Sequence, residues 1–249
     1  MKKLQLRFKQ LAAITWKNIK IYYSEPPVLI FGLFFPFFLF LAFALGRQMA
    51  VASLMPAFLG ITLFFTGSSV GPYITPWETR TRTLERMVAS PAPFYLIILG
   101  DIMAGFIFGI TLTVFLVLAV SAFVSLDIFS LPLLFISLAG GSFCFAALGS
   151  LFSALPTEKP SNVMMLSNLV RLPLIFISGV FVPLGDLPQP LRFASYLSPL
   201  TYTVELLNYS LVGESYLSLI FSFMMSLLFT GTIIAAALSW HQKSLLKRL

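Results

Sequence analysis

Cysteine and histidine are nearly absent from this sequence, which holds one residue of each kind, Cys144 and His241. A disulfide framework needs paired cysteines, and Cys144 stands alone in an apolar run. Most zinc sites take several Cys or His ligands, so we interpret His241 as an interfacial residue rather than a ligand. The sequence therefore predicts neither a disulfide-stabilised domain nor a metal centre.

Charged residues are also scarce, at 10% of the chain against roughly one quarter in soluble domains. Hydrophobic residues make up 58%, and the mean hydropathy is +0.94. The formal net charge of +7 does not indicate nucleic-acid binding, because the charges fall between apolar runs, as topology determinants do. We expect an all-α polytopic membrane protein of the cell membrane that binds no nucleic acid.

Several motifs that would indicate catalysis are missing. The sequence contains no G-x-x-x-x-G-K-[ST] loop and no H-E-x-x-H pair, which argues against an ATPase and a zinc peptidase. A proton-coupled carrier would be expected to bury carboxylates in mid-membrane, whereas here Asp and Glu keep to loops and span ends. We predict no enzymatic activity and no cofactor bound by this chain.

Six apolar segments are long enough to cross a bilayer as helices. The predicted spans are residues 27–45, 54–75, 95–124, 131–155, 160–182 and 216–240. Small residues recur in them at the spacing that lets helix backbones approach closely. They are Gly67 and Gly71, Gly105 and Gly109, and the stripe Ser142, Ala146, Ser150 and Ala154. Asp101, near the inner end of the third span, is expected to reach water and to serve a structural or snorkelling role.

The first 24 residues carry six basic side chains and no acidic one. A signal peptide would place its apolar core directly behind its basic start, which this segment does not. Its apolar residues instead recur with a helical period, while Lys9, Lys17 and Lys20 lie on the opposite side. We predict an interfacial amphipathic helix over residues 1–25 on an anionic leaflet, with a disordered basic tail as the alternative.

Basic residues between the spans are distributed unevenly. The segments assigned to the inside hold the N-terminal cluster, Arg80, Arg82, Arg86, Lys159, Lys243, Lys247 and Arg248, and those assigned to the outside hold Arg47 and Arg192. Because cytoplasmic loops carry the excess of Lys and Arg, this distribution predicts six spans with the N- and C-termini both cytoplasmic.

A run of alternating charge at residues 77–91 separates the second and third spans. Unpaired charges do not sit in hydrocarbon, so this run is expected to leave the bilayer. Leu84, Met87 and Val88 recur at i, i+3 and i+4, the apolar stripe of a short amphipathic helix. We predict a cytoplasmic helix that takes force from a partner protein, and an ordinary solvated loop is the alternative.

The fifth predicted span contains Asn168, Arg171 and Pro173. A guanidinium inside a span costs about 2.5–3.5 kcal/mol on insertion scales. Pro173 removes a backbone N–H and displaces the carbonyl of Leu169, so we expect free acceptors at a local break to satisfy Arg171. Contact with a substrate is the alternative for this residue.

Two stretches resemble a known family. Glu78, Thr83-Leu84-Glu85 and Ser90-Pro91 resemble the E-x-x-x-G-T-[LI]-E…[ST]-P pattern of ABC type-2 exporter permeases. The second stretch is similar to the family signature P…SG…FP…LP…P-L-T-Y…[DE]. Its matching positions are Pro173, Ser178, Gly179, Pro183, Pro188, Pro199, Tyr202 and Glu205. The six spans, the basic N-terminal helix and the inner termini agree, so the resemblance covers essentially the whole chain.

The resemblance implies the membrane-spanning subunit of an ATP-driven exporter. Two permease copies, as a homodimer or a heterodimer, would each dock on a separate ATP-binding cassette ATPase subunit, which would carry ATP and Mg²⁺. A coupling helix within residues 77–91 would enter a groove of that subunit, and residues 185–213 would form an outer re-entrant segment.

The residues implied in these roles fall into two groups. The ATPase-coupling group is Glu78, Thr83, Leu84, Glu85, Arg86, Met87 and Val88, with the apolar three in the groove and Glu85 and Arg86 at its rim. The pathway or structural group is Asn168, Arg171, Pro173, Ser178, Gly179, Pro183, Pro199, Tyr202 and Glu205.

One position departs from the family pattern. Arg82 stands where the family usually has glycine, which adopts φ > 0 at little cost, whereas arginine does not. We therefore expect a different turn geometry or an earlier start of the helix.

Two other functions remain open from the sequence. One is a self-contained carrier or channel that uses Arg171 with Asn168 as an anion site, and the other is a membrane assembly factor without transport. Copurification distinguishes both from an exporter permease, since a permease should bring down an ATPase.

Overall fold

The computed structural model describes residues 2–46, 51–121 and 128–245, in which the chain forms α-helices, helical turns and no strand. The helices are α1 (Lys2–Tyr22), α2 (Pro26–Leu29), α3 (Phe35–Gly46), α4 (Val51–Ser69), α5 (Gly71–Arg80), α6 (Thr83–Val88), α7 (Phe94–Ser121), α8 (Leu131–Ser153), α9 (Pro160–Ile177), α10 (Gln189–Ser195), α11 (Pro199–Val212) and α12 (Leu219–Leu245). A π-helical turn, Ile30–Phe34, joins α2 to α3, and a 3-10 turn, Leu184–Asp186, precedes α10. Arg47, Lys247 and Arg248, which the topology prediction used, lie outside the described residues.

Five helical stretches in the described ranges are long and apolar enough to cross a membrane. They are Leu54–Arg80, Phe94–Ser121, Leu131–Ser153, Pro160–Ile177 and Leu219–Leu245. Lys3–Tyr22 and Pro26–Leu39 are apolar enough only when taken together, and they would form a sixth span if this pair, bent by 89°, crossed the membrane as one. The chain is therefore an all-α membrane protein whose described residues form five, or up to six, apolar spans.

Several helix ends differ from the predicted span ends; α12, for example, continues to Leu245, beyond the predicted end at residue 240. The second span was expected to end at residue 75, but its helix continues to Arg80, because Val70 keeps helical angles (φ −71°, ψ −47°) where α4 passes into α5. The fifth span was expected to reach residue 182, but α9 ends at Ile177. Gly179 follows with φ +84°, a left-handed conformation that stops a helix.

The α4–α5 unit lies at the centre of the molecule. Its most apolar stretch is 94% buried, against 17% for the corresponding stretch of α12. Helix α4 packs against α7, α8 and α11, while α9 and α12 present large apolar side chains outward. In a membrane protein such exposed apolar faces suit contact with lipid or with another membrane helix.

Glycines set the distance between α4, α7 and α8. A Cβ placed on Gly105 would lie 2.7 Å from the carbonyl oxygen of Gly67, and one on Gly67 would lie 3.2 Å from that of Ser142. A Cβ on Gly71 would lie 2.4 Å from the backbone carbon of Gly149. These contacts agree with the packing role predicted for the small residues of the three spans.

Gly71→Ala is expected to destabilise the protein by about 2 kcal/mol, because the new methyl group would meet the backbone of α8 rather than a flexible side chain. Gly140→Ala is the matched control, since nothing lies within 4 Å of its Cβ position, and it should be neutral or slightly stabilising. Thermal unfolding of both variants in detergent checks the difference. Equal melting temperatures would contradict the close contact.

Helix α11 is a buried helix too short to span a bilayer. It has 14 residues, whereas a transmembrane helix needs about 20. Pro199 lies in its first turn, and Gly213 (φ +82°) ends it. It packs against α4, α8 and α12, where a Cβ on Gly60 would lie 2.6 Å from Val204. Residues 185–213 thus contain short helices that return into the helical bundle.

Candidate coupling and pathway sites

The short helix α6 is anchored to its own chain by Leu84, which is 2% exposed. Met87 and Val88 are half-buried, whereas Glu85 and Arg86 are exposed. The prediction that the three apolar residues form the face that enters a partner's groove is therefore wrong for Leu84. Leu84 fills a site within this chain, and the side that α6 leaves free is polar.

Arg82 precedes α6 in the left-handed conformation, with φ 54° and ψ 21°. Among the described residues it is the one non-glycine residue with positive φ. We expected arginine to avoid this geometry, and that expectation is wrong. The turn keeps the positive-φ conformation that glycine adopts easily. The exposed Arg82 is therefore held in a strained backbone conformation.

Arg82→Gly is expected to stabilise the chain by about 1 kcal/mol, because glycine adopts positive φ without the steric cost that a side chain carries. Arg86→Gly removes the same charge from inside α6 and should destabilise by about 0.5–1 kcal/mol. Thermal unfolding of the two variants should shift in opposite directions. A loss of stability in Arg82→Gly would show that its side chain has a contact that outweighs the strain.

Glu78 lies near the C-terminal end of α5 and is fully buried. Lys17 of α1 forms an ion pair with its Oε1 atom, and the Tyr22 hydroxyl donates to the same oxygen over 3.3 Å. The Lys17 amine also lies 3.3 Å from the sulfur of Met87 in α6. Glu78 was predicted to lie in a water-exposed charged run, and Lys17 was predicted to lie on the polar side of α1. Glu78 is buried instead, and Lys17, 26% exposed, reaches inward to it, because each is the other's partner.

This cluster joins three elements at one place. Lys17 brings α1 to the end of α5, and its contact with Met87 reaches α6. Leu84 holds the same short helix against the chain. A displacement of α6 would therefore be passed to α1 and to the α4–α5 unit.

A second polar chain crosses the bundle deeper inside. Asn18 donates to Asp101 over 2.7 Å, and Thr75 lies 3.4 Å from the other oxygen of Asp101. Thr75 is also 3.2 Å from Ser153, which lies 3.3 Å from Nε2 of His241. Asp101 and His241 are both buried, so the expectations of a water-exposed Asp101 and an interfacial His241 are wrong. Nothing in the sequence pairs these residues, which are far apart along the chain.

Arg171 lies inside the bundle, 1% exposed. Its guanidinium donates to the carbonyl oxygen of Ser68 in α4, and to Oδ1 of Asn168 over 3.3 Å. The acceptor at Ser68 is free because the residue four positions on, Pro72, has no N–H to complete the helical hydrogen bond. We predicted acceptors at a break beside Pro173, but α9 continues through Pro173 to Ile177. The main acceptor is on another helix.

A groove of about 570 Å³ lies next to Asn168, the residue that accepts a hydrogen bond from Arg171. Its walls come from the start of the first apolar segment, from α5 and from the first half of α9. Tyr73, Trp77 and Arg80 lie on one side, and Met164 and Asn168 lie on the other. The walls are mainly apolar, with Arg80, Ser161 and Asn168 among their polar groups. Its volume is within the roughly 300–1,000 Å³ of small-molecule sites.

The remaining predicted positions lie where α9 turns towards α11. Buried Ser178 donates to the carbonyl of Ile175, and Gly179 takes its left-handed turn against Leu184. Tyr202 donates to the carbonyl of Tyr196 over 2.8 Å, and Glu205 accepts the N–H of Leu217 over 2.8 Å. Pro183 precedes the 3-10 turn and Pro199 starts α11. These residues shape the turns, and they do not converge on Arg171 or on the groove.

Residues 9–212 match the model of the ABC-2 type transporter family. The chain belongs to this family. The matched range contains α6, the Lys17–Glu78 pair, Arg171 and the turns around α11. Together with the apolar helices, the match identifies a multi-pass membrane permease of the ABC-2 type.

Curated relatives bear the name "Inner membrane transport permease YadH". The relatives from Escherichia coli K12 and from Shigella flexneri are each 26% identical over 143 residues, which is 57% of this chain and 55% of the relative. The chain thus spans about half the length of the curated relatives it matches. Their name assigns them to the inner membrane and to transport.

Proposed function

We propose that this chain is the membrane-spanning subunit of an ATP-driven exporter, coupled to a separate ATP-binding subunit through α6. The observation that carries the proposal is the attachment of an exposed polar helix to the centre of the bundle. Helix α6 exposes Glu85 and Arg86, and Arg82 is exposed directly before it. The helix is held by Leu84 and by the contact of Met87 with Lys17. The membership in the ABC-2 family supports this assignment.

The proposed mechanism transmits force through helices. ATP binding closes the partner ATPases and displaces α6, and the Lys17–Glu78 pair carries this displacement to α1 and α5. Because α5 continues into the buried α4, the motion reaches the centre of the membrane domain. ATP and Mg²⁺ belong to the partner subunit, and this chain contributes no catalytic group.

The proposed pathway follows the 570 Å³ groove between α5 and α9. Helix α9 exposes apolar side chains along its outer side, including Met165, Leu169 and Phe176. A second permease copy packed there would close the groove from outside. The mainly apolar walls with Arg80 and Asn168 favour an amphiphilic cargo.

The proposal includes six spans with both termini in the cytoplasm. A reporter fused after Leu249, or inserted at Glu85, is expected to report cytoplasm, and one at Gln189 is expected to report the outside. The exposure of Glu85 and Gln189 makes both insertion sites accessible. An outside signal from the C-terminal fusion would mean an odd number of spans and would contradict the arrangement.

The carrier alternative loses its main support, because the guanidinium of Arg171 is buried and already donates to Ser68 and Asn168. The decisive test is copurification followed by reconstitution with the captured ATPase. Export and ATP hydrolysis are measured on the same vesicles. Export without an ATPase would favour a carrier, and capture of another membrane complex without transport would favour an assembly factor.

A further inference from the structure

Helix α1 presents two different sides. One side packs on the bundle through Thr15, Asn18 and Tyr22, which are buried. The other exposes large apolar side chains, with Phe8 73% and Trp16 67% exposed. An exposed apolar side on a helix bent by 89° from the first apolar segment suits a helix that lies in the membrane interface.

A groove of about 270 Å³ separates this exposed side from α7. Phe8, Leu11, Trp16 and Ile19 line it from α1, and Met103 and Ile107 line it from α7. Its volume is smaller than the roughly 300–1,000 Å³ of drug-sized ligand sites. It therefore suits a single acyl chain whose remaining lipid lies outside.

Basic side chains border the groove. Lys9, Trp16 and Lys20 are spaced i, i+7 and i+11, which places them along one edge of the helix. Lys9 and Lys20 are exposed, and no acidic residue occurs before Glu25. Because each lysine near the surface attracts anionic headgroups, charge complementarity points to a negatively charged lipid.

We propose that the α1–α7 groove is a binding site for one anionic phospholipid, with an acyl chain between Phe8, Trp16 and Ile107 and a phosphate near Lys9 or Lys20. The orientation of α1 rests on the cytoplasmic N-terminus of the proposed function. The site goes beyond that function because it holds a lipid beside the helix that carries Lys17. Its occupancy would favour the docked position of α1.

The test measures retained lipid on the purified chain and needs no ATPase. The chain is extracted from vesicles of equal parts phosphatidylglycerol and phosphatidylcholine, and bound lipid is counted by native mass spectrometry. Phosphatidylglycerol should be retained preferentially. Lys9→Gln and Lys20→Gln should each lower its affinity about fivefold. The matched control, Lys3→Gln with Arg7→Gln, removes two exposed charges from another side of α1 and should leave retention unchanged.

A groove-filling variant, Ile107→Trp, tests the acyl-chain part of the site and should abolish retention while leaving every charge in place. Equal retention of both lipids would overturn the proposal, because the site would then not select for charge. An equal loss in the Lys3 and Arg7 control would overturn it in favour of general attraction to the basic surface of α1. Retention in Ile107→Trp would overturn the groove. If the wild-type chain retains phosphatidylglycerol selectively but supports no ATP-driven export, only the proposed function is contradicted.

Discussion

Arg171→Ala is expected to destabilise the protein by about 3 kcal/mol. The substitution removes a charged donor from the carbonyl of Ser68, a buried acceptor that Pro72 leaves without its helical N–H. It also leaves a cavity where the guanidinium lies about 6 Å from the ring centres of Phe65 (6.0 Å) and Phe152 (5.9 Å). Thermal and denaturant unfolding in detergent measure the loss.

Pro72→Ala gives a sharper test of the cause. Alanine at this position returns the N–H that a helix would offer to the Ser68 carbonyl, so Arg171→Ala should cost at least about 1 kcal/mol less in that background. Pro76→Ala is the matched control, because it adds an N–H one turn further along α5, opposite the carbonyl of Pro72. Its effect should add to that of Arg171→Ala.

Strict additivity with Pro72→Ala would contradict the role of Arg171 as the substitute donor. Arg171→Lys should recover part of the stability, since an ammonium group also donates but lacks the planar geometry of the guanidinium. If Arg171→Ala kept full stability and abolished only cargo-stimulated ATP hydrolysis, substrate contact would become the better account of this residue.

The sequence allowed the membrane class, the approximate spans and the glycine contacts to be predicted. A long apolar run indicates burial in lipid or in protein, whichever residues it packs against. The spacing of Gly67 and Gly71, and of Gly105 and Gly109, reports backbone approach in the same way, since only the helix geometry is needed. These features depend on residues close together in the chain.

The partners of polar residues could not be predicted. Lys17 and Glu78 are 61 positions apart, and Arg171 and Ser68 are 103 positions apart. Periodicity placed Lys17 on a polar helix side and Leu84 on a partner-facing side, but period alone does not say which side meets the protein's own core. The free acceptor at Ser68 follows from Pro72, yet no local pattern connects it to α9.

Arg82 shows a different limit. A residue's backbone preference predicts the local cost of a conformation, not whether the surrounding fold imposes it. Helix α5 ends at Arg80 and α6 begins at Thr83, so only two residues make the connection, and Arg82 takes φ 54° there. The family pattern, with glycine at this position, was the better guide to the geometry than the residue itself.

Leu84→Asp is expected to abolish coupling while leaving the spans inserted. The substitution removes a buried leucine side chain, which typically lowers the free energy of unfolding by about 2–5 kcal/mol. It also places an unpaired carboxylate in the same buried site. Because α6 has six residues, this local loss should release it from α5 and α1. Export in reconstituted vesicles should fall at least tenfold, with ATP hydrolysis lost or continuing without transport.

Arg86→Ala is the control on the exposed side of the same helix. It should weaken the ATPase contact only modestly, because exposed charge pairs contribute about 0.2–1 kcal/mol. Its effect should shrink as salt rises. Wild-type coupling in Leu84→Asp would show that the attachment of α6 through Leu84 is not needed for coupling.

The purified chain without its ATPase separates the two possible roles of Leu84. If Leu84 were an anchor for the partner, Leu84→Asp would leave the unfolding of the isolated chain unchanged and weaken only the complex. Because Leu84 is buried within this chain, we expect the isolated variant itself to lose protection around α6. Hydrogen exchange of residues 83–88, measured in detergent, should rise in Leu84→Asp and stay near wild type in Arg86→Ala. Coupling would then depend on an intramolecular attachment that positions the polar side of α6 for the ATPase.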